Sequence, residues 1–409
     1  MTTSPSVSLA PAAPRARRLS PAASFFLLAS ITVSFLAGSS APTPLYMVYQ
    51  AAWGFSPVTV TVIFGIYALA VLATLLTMGS LSDYIGRRPV LIATTAVQAV
   101  TMLIFATANS VTALLVARVI QGLSTGAAIG AVGAGMLDLD RAKGTIANAV
   151  GPMAGTATGG LLSGLMVQYL PAPTHLVYLV LCAIFVLQSL GAMLMPESVT
   201  PRPGALASLR PHFRLPVAVR GAVLLAIPAL VATWALAGFY GSLGPALVRR
   251  ILGSSSVVVG GLTLFVLAGS GAITVLLLRH RTARAMMTFG ATALIVGVGL
   301  TLLATARGSA LLFFTGAALA GAGFGAGFQG AIRTVLPLTA AHERAGVLSV
   351  LYVVSYLGMG LPAVLGGLRV VHGGGLLTTA REYGAAVMLL AAVALVGTRA
   401  QPRDARQTR

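Results

Sequence analysis

Long apolar runs without charge constrain the fold of this chain more than any other feature. No Asp, Glu, Lys or Arg occurs from 19 to 82 or from 89 to 117, and only 8% of the 409 residues are charged. Apolar stretches of about 20 residues indicate membrane-spanning helices. The runs are continuous and do not alternate with polar residues as the strands of a membrane barrel do. The sequence therefore predicts an all-α polytopic membrane protein.

Twelve spans are predicted from these runs. The first six cover 24–48, 57–78, 89–108, 111–134, 145–169 and 175–195, and the last six cover 220–243, 255–278, 285–305, 308–334, 346–369 and 383–398. A Pro- and Arg-rich linker, 196–219, separates a first six-helix half, 21–195, from a second, 220–398. Basic tails cover 1–20 and 399–409.

The basic residues predict the orientation of the chain. Of the 26, 20 lie in the tails, the linker and alternate loops, five lie in the opposite loops, and Arg118 lies inside a span. Because cytoplasmic loops carry the excess of Lys and Arg, both termini and the linker are predicted to be cytoplasmic. The chain itself is predicted to lie in the cell membrane. Loop placement also accounts for the net charge of +19 without a nucleic-acid partner.

The start of the chain leaves one alternative open. RARRLSPAASFFLLASITVSFLAGSSA has the basic start, apolar middle and small residues of a secretory signal. Cleavage near Ala41 would leave eleven spans and unequal halves, so an uncleaved first span is the favoured interpretation.

Charges reappear in the loop after span 2, GSLSDYIGRRPVL. A glycine at 86 permits a tight turn, and Asp83 at a membrane boundary needs an Arg or a helix N-terminus as its partner. The loop resembles the signature G-x-L-(a)-D-(r)-x-G-R-(R/K) of the major facilitator superfamily, although Tyr84 stands where a basic residue is common. We predict a cytoplasmic latch that joins the two halves, made of Gly79, Asp83, Gly86, Arg87 and Arg88; the alternative is a solvated loop that only fixes topology.

Span 4 carries a second match to that family. ARVIQGLSTGAA resembles its R-x-x-Q-G-x-x-x-G element through Arg118, Gln121, Gly122 and Gly126. A charge inside a span is costly and rarely faces lipid. Arg118 is therefore interpreted either as a cavity-facing group that handles substrate or a proton, or as a residue bonded to backbone carbonyls between helices. No carboxylate lies deep in a span, so proton coupling would fall to Asp83, Asp138 or Asp140 acting with Arg118.

Span 5 contains NAVGPMAGTATGGLLSG, which resembles the Gly- and Pro-rich element of exporters in the same family. Close helix packing, with a bend at the proline, is the physical expectation. The alternative is ordinary packing of small residues without any link to export. The residues concerned are Gly151, Pro152, Gly155, Gly159, Gly160 and Gly164.

Aromatic and amide side chains are candidates for lining a central cavity. The family resemblance implies a twelve-helix fold of two pseudo-symmetric halves with the substrate site between them. Tyr46, Tyr49 and Trp53 are assigned instead to an interfacial aromatic belt. A cavity with one Arg and no acid favours neutral or anionic substrates. The candidate lining residues are Trp234, Tyr240, Phe328, Gln329 and Tyr356.

The resemblance covers about 20–400 and implies a secondary transporter of small organic molecules, with export as the favoured direction and proton coupling as a further expectation. It implies action as a single chain in the bilayer, with no cofactor. A lone cysteine, Cys182, and five histidines outside the spans offer no metal site or nucleophile with a base. An uptake carrier for a sugar or organic acid, a membrane enzyme and a non-transporting sensor are the alternatives.

Overall fold

The structure is a computed structural model that describes residues 18–211, 215–340 and 343–400. Within these ranges the chain forms helices joined by short turns, with no strand. Most of the basic N-terminal tail, and the C-terminal tail beyond Ala400, lie outside the described residues.

Helices match the predicted spans closely in both halves. In the first half they are Pro21–Ser40 with Pro42–Trp53 (span 1), Pro57–Met78 (span 2), Arg87–Ala106 (span 3), Val111–Leu139 (span 4), Arg141–Tyr169 (span 5) and Leu176–Met193 (span 6). In the second half they are Val217–Ser242 (span 7), Val257–Leu277 (span 8), Ala283–Arg307 (span 9), Ala310–Val335 (span 10), Arg344–Arg369 (span 11) and Gly375–Ala400 (span 12). Short helices cover Ser82–Ile85, Ala205–Ser208 and Gly244–Leu252.

Ten helical segments of the described chain are long and apolar enough to cross a membrane. One of them, Arg344–Ala400, contains spans 11 and 12, which a tight turn at Val370–Gly374 separates. Span 5 is as long as span 4, but its many Gly and Thr residues make it less apolar. With these two adjustments the count agrees with the predicted twelve-helix fold.

The largest differences from the predicted span boundaries are in spans 1, 4 and 12, and span 4 ends at Leu139, five residues later than expected. Span 1 continues to Trp53, where Gly54 ends it in the left-handed conformation with φ +69°. Span 12 begins at Gly375, eight residues earlier than expected, and so includes Arg381 and Glu382. There the Arg369 guanidinium donates to both carboxylate oxygens of Glu382, each at 2.8 Å.

The two halves repeat one arrangement of helices. In the first half, span 1 packs on spans 4, 5 and 6, span 3 packs on spans 4 and 6, and span 2 packs on span 4. The second half repeats each of these pairs with every span number raised by six. Such internal repeats are typical of transporter folds.

The halves meet along a seam made mainly by span 5 against span 8 and by span 2 against span 11. We call the end of the bundle that carries the 79–86 loop and the linker the linker end, and the other end the opposite end. Three hydrogen bonds join the halves among the described residues, and all lie at the opposite end. The Gln168 side-chain oxygen accepts from the Val257 N–H at 3.0 Å and from the Ser256 hydroxyl at 3.4 Å, and Arg249 donates to the Met47 sulfur at 3.0 Å.

Glycines allow the backbones to approach each other at the seam. A Cβ atom added at Gly261 of span 8 would collide with the Gly160 carbonyl of span 5. A Cβ added at Gly65 of span 2 would lie 3.1 Å from Val364 of span 11. The same small-residue packing brings membrane helices together elsewhere.

Gly261→Ala is expected to lower the thermal unfolding midpoint of the purified protein, because the new methyl group meets backbone that cannot rotate away. Overpacking of this kind costs about 1–3 kcal/mol. Gly221→Ala is the matched control, since nothing lies within 4 Å of its added Cβ. Equal midpoints for the two variants would contradict the close approach of spans 5 and 8.

Candidate functional site

Arg118 lies fully buried inside the first half, where it bonds to span 1 and to its own helix. Its Nε donates to the Tyr46 hydroxyl at 2.8 Å, and its Nη2 also donates to that hydroxyl. Nη1 donates to the Ser39 carbonyl at 2.8 Å and to the Gln121 side-chain oxygen at 2.7 Å. We call Ser39, Tyr46, Arg118 and Gln121 the arginine cluster.

Aromatic rings surround the guanidinium, whose carbon lies 5.5 Å from the ring centre of Tyr46, 5.1 Å from that of Tyr67 and 5.8 Å from that of Phe105. None of the ion pairs found among the described residues involves Arg118. Hydrogen-bond acceptors and ring faces therefore stabilise a cation that no carboxylate neutralises. The arrangement leaves a net positive charge inside the first half.

A proline break in span 1 provides carbonyl acceptors for this region. Pro42 has no N–H, so the Gly38 carbonyl four residues earlier lacks its usual helical partner. The Gln121 side-chain nitrogen donates to that carbonyl at 3.0 Å. Close to this break, the Ser163 hydroxyl of span 5 donates to the Ala41 carbonyl at 2.6 Å.

The assignment of Tyr46 and Tyr49 to an interfacial belt is wrong. Both are almost completely buried, and the Tyr49 hydroxyl donates to the Tyr178 hydroxyl at 3.3 Å. Trp53 is partly exposed and stacks on Tyr49 with ring centres 4.8 Å apart. The sequence signal that Tyr46 is a buried partner of Arg118 was the Pro42-x-Pro44 pair just before it, which breaks span 1 beside Arg118.

A second cluster lies at the linker end. Gly86 adopts φ +101°, a conformation that side chains rarely permit, and it starts span 3 directly at Arg87. The Glu197 carboxylate, which follows span 6, accepts the Arg87 N–H at 2.8 Å and the Arg88 N–H at 2.9 Å. A carboxylate at a helix N-terminus satisfies free N–H groups and the helix dipole. Glu197 was not among the predicted site residues.

Arg87 is buried, and its side chain forms ion pairs with two acidic residues at this end. It pairs with Asp83, its Nη1 donates to the Ser82 hydroxyl at 2.7 Å, and its Nε lies 3.3 Å from Asp138. We call Asp83, Arg87, Asp138 and Glu197 the loop cluster. All of its contacts lie within the first half and the linker, so a latch between the halves stays a prediction.

Asp138 belongs to the loop cluster but not to the arginine cluster, and Asp140 and the Arg88 side chain belong to neither. Asp138 is 20 residues from Arg118 along one helix, or roughly 30 Å, so the structure does not bring the two together. Asp140 caps span 5: the backbone N–H of Lys143, 2.9 Å away, lowers the pKa of the Asp140 carboxyl. The Arg88 side chain joins neither the Asp83 nor the Asp138 ion pair.

The glycines of spans 4 and 5 lie at helix contacts. Added Cβ atoms at Gly122 and Gly126 would meet the backbone of span 2. On span 5, Gly151, Gly155 and Gly159 face span 1, whereas Gly160 and Gly164 face span 8 of the other half. The helix runs unbroken through Pro152.

Aromatic side chains of the second half gather at the seam. The Trp234 ring centre lies 4.9 Å from that of Tyr356, 5.4 Å from that of Phe328 and 6.2 Å from that of Phe324. Tyr67 of the first half packs in the same cluster as Tyr356 and Trp234. Because Tyr67 also contacts Arg118, aromatic rings connect the arginine cluster to the seam.

Tyr240 differs from the other candidate lining residues. It is buried inside the second half, with its hydroxyl 2.9 Å from that of Thr301, and it is therefore removed from the seam aromatics. Gln329 is partly exposed next to Phe328 on span 10.

Comparisons with known proteins agree on one fold. The model of the Major Facilitator Superfamily matches residues 26–363. A mutant of the nucleoside transporter NupG superposes with a TM-score of 0.72 at 13% identity, over 92% of this chain and 100% of that chain. A bacterial homologue of the human lysosomal transporter Spinster, in an inward-facing and unoccupied conformation, gives 0.71 at 14% identity, over 93% and 97%. The human organic anion transporter MFSD10 gives 0.66 at 16% identity, over 92% and 100%.

Glu197→Gln is expected to lower the thermal unfolding midpoint. Its two oxygens accept from two different N–H groups of span 3, and the amide retains only one acceptor. Loss of a helix cap costs about 1 kcal/mol. Glu382→Gln is the control, because its exposed ion pair with Arg369 contributes little to stability. A midpoint for Glu197→Gln no lower than that of the control would contradict the capping role.

Proposed function

The chain belongs to the major facilitator superfamily, and we propose that it exports small organic molecules across the cell membrane by alternating access. The family and the transporter structures that it resembles point to a transporter rather than an enzyme. The observation that carries the proposal is the seam between two symmetric halves. Two helix pairs form most of this seam, and the hydrogen bonds across it lie at one end.

The proposed orientation places the linker end in the cytoplasm, because alternate loops and the linker hold the excess of basic residues. The hydrogen bonds across the seam then lie at the outer side of the protein, which is closed in the proposed inward-facing state. Rocking of the halves would break the bonds of Gln168 and Arg249 and open the outer side. A substrate that binds one state more tightly shifts the balance between them.

The proposed substrates are aromatic amphipathic molecules that are neutral or negatively charged. Trp234, Phe328 and Tyr356 supply ring faces at the seam, and the side-chain N–H of Trp234 is buried without an acceptor. A ligand that offers an acceptor there satisfies this donor. The unneutralised charge of Arg118 disfavours cations.

The loop cluster is the proposed conformational switch. Asp83 and Asp138 bind Arg87 within the first half. In the outward-facing state the linker ends of the halves come together, and the same charges then lie where they meet. The exchange of partners between the two states is the proposed latch, and protons are the proposed coupling ion.

Export is tested by measuring how much of each compound accumulates in cells with and without the protein. The panel holds aromatic compounds of similar size that are anionic, neutral or cationic. We expect lower accumulation of anionic or neutral members, and loss of the difference when the proton gradient is collapsed. Higher accumulation with the protein would show uptake and overturn the proposed direction.

Arg118→Gln tests selectivity in the same assay. We expect it to abolish the effect on anionic compounds and to spare neutral ones in part. Arg250→Gln is the control, because this exposed arginine at the opposite end takes no part in the hydrogen bonds that cross the seam. Selectivity unchanged by Arg118→Gln would exclude the buried charge as the source of discrimination.

Asp83→Asn tests the latch. We expect transport to fall by about tenfold at normal protein levels, since the loss of a charge-assisted pair is worth about 1.4 kcal/mol or more. Glu382→Gln, which breaks an ion pair at the other end of the bundle, should retain transport. Wild-type transport by Asp83→Asn would rule the latch out.

A further inference from the structure

Arg88 has a different environment from its neighbour Arg87. Its backbone N–H binds Glu197, but its side chain is in none of the ion pairs of the described residues. The side-chain Nε is buried and has no hydrogen-bond partner. A buried N–H of a charged group without an acceptor is costly, and it indicates that an acceptor binds there.

The Arg88 side chain lines a surface pocket of the first half, at the linker end. The pocket has a volume of about 560 Å³ and is lined by residues of span 3 and of the linker, among them Arg88, Pro89, Ile92, Ala93, Glu197 and Pro201. Pockets for organic molecules occupy about 300–1,000 Å³. The space therefore suits a molecule with an organic body rather than a single ion.

The pocket is lined by one cation, Arg88, and one anion, Glu197, whose carboxylate is engaged by the backbone. That carboxylate already accepts four backbone N–H groups, from Arg87, Arg88, Ser198 and Val199. Arg202 follows the lining residue Pro201 in the chain. Its guanidinium carbon lies 4.6 Å from the ring centre of Tyr84. Arg88 thus supplies the guanidinium group that lines the pocket, and guanidinium groups bind phosphate with charge-assisted hydrogen bonds.

An apolar stripe leads away from the pocket along span 3. Pro89, Ala93 and Ala96 are exposed, and the stripe continues through Val97, Val100 and Leu103, which are 42%, 56% and 46% exposed. This is the face that a membrane helix turns toward lipid chains. A free phosphate has no use for such a stripe, whereas a phospholipid places its phosphate at Arg88 and its acyl chains along the helix.

We propose that this pocket binds the headgroup of an anionic phospholipid, with its phosphate on Arg88 and its acyl chains on the exposed stripe of span 3. The site lies outside the seam and the arginine cluster, so it does not depend on which substrate the protein carries. Basic side chains at the cytoplasmic membrane surface attract anionic lipid. Because Arg88 and the cap formed by Glu197 share one helix start, bound lipid is expected to stabilise the loop cluster.

The test compares full-length protein in nanodiscs of phosphatidylcholine alone with nanodiscs that also contain phosphatidylglycerol. We expect phosphatidylglycerol to raise the thermal unfolding midpoint, and native mass spectrometry in detergent to detect bound phosphatidylglycerol. Arg88→Gln should weaken that binding by about tenfold. Arg210→Gln, which removes an equally charged but exposed linker residue, should bind like the wild type.

Further arms separate the sources of the phosphate group. Inorganic phosphate that protects as well as the lipid would overturn the lipid in favour of a free anion. Equal loss in Arg88→Gln and Arg210→Gln would show attraction to net charge alone and also overturn the site. Ala93→Trp blocks the stripe without changing charge, and it should reduce lipid binding. If Arg88→Gln does not fold, undiminished lipid binding by Ala93→Trp overturns the proposal.

Discussion

A guanidinium buried among membrane helices must find its acceptors inside the protein, because lipid offers none. Arg118 finds them in span 1, where Pro42 interrupts the helix and Ser39 and Tyr46 turn their oxygens toward it. The same break exposes the Gly38 carbonyl, which Gln121 satisfies. The position of span 1 against span 4 thus depends on a proline in one helix and an arginine in another. Spans 3 and 2 complete the enclosure with the rings of Phe105 and Tyr67.

The turn at Gly86 organises the linker end in a comparable way. It starts span 3 so that two consecutive arginines diverge: Arg87 turns inward to Asp83 and Asp138, and Arg88 lines the surface pocket. Glu197 holds both backbone N–H groups and so fixes the linker against span 3. One helix start therefore determines the interior ion pairs, the path of the linker and the position of Arg88 at the surface pocket.

Sequence reasoning predicted the helices well because long apolar runs have few alternatives in a membrane. The charges of the 79–90 stretch were likewise visible as an interruption between two uncharged runs. Their partners were not visible, because Glu197 is about 110 residues away and seven acids can pair with 26 bases in many ways. Tyr46 and Tyr49 were misassigned because a tyrosine near a span end looks the same whether it meets lipid headgroups or a buried hydroxyl. The position of Tyr240 inside the second half could not be predicted for a related reason: membership of span 7 does not say which side of the helix faces the seam.

The seam is consistent with two states of similar free energy. Among the described residues, three hydrogen bonds cross it, all at the opposite end, and one of these has a sulfur acceptor. At about 1 kcal/mol each, these hydrogen bonds contribute about 3 kcal/mol to the association of the two halves. A ligand needs about 5.5 kcal/mol of differential binding to reverse a 1:99 population. The remaining contacts are glycine backbones and apolar side chains, such as Gly160 against Gly261, which have no directional bonds to break. The main cost of rocking would then be the exposure of the apolar seam surface to water, and the loop cluster would supply the polar contacts that the other state lacks.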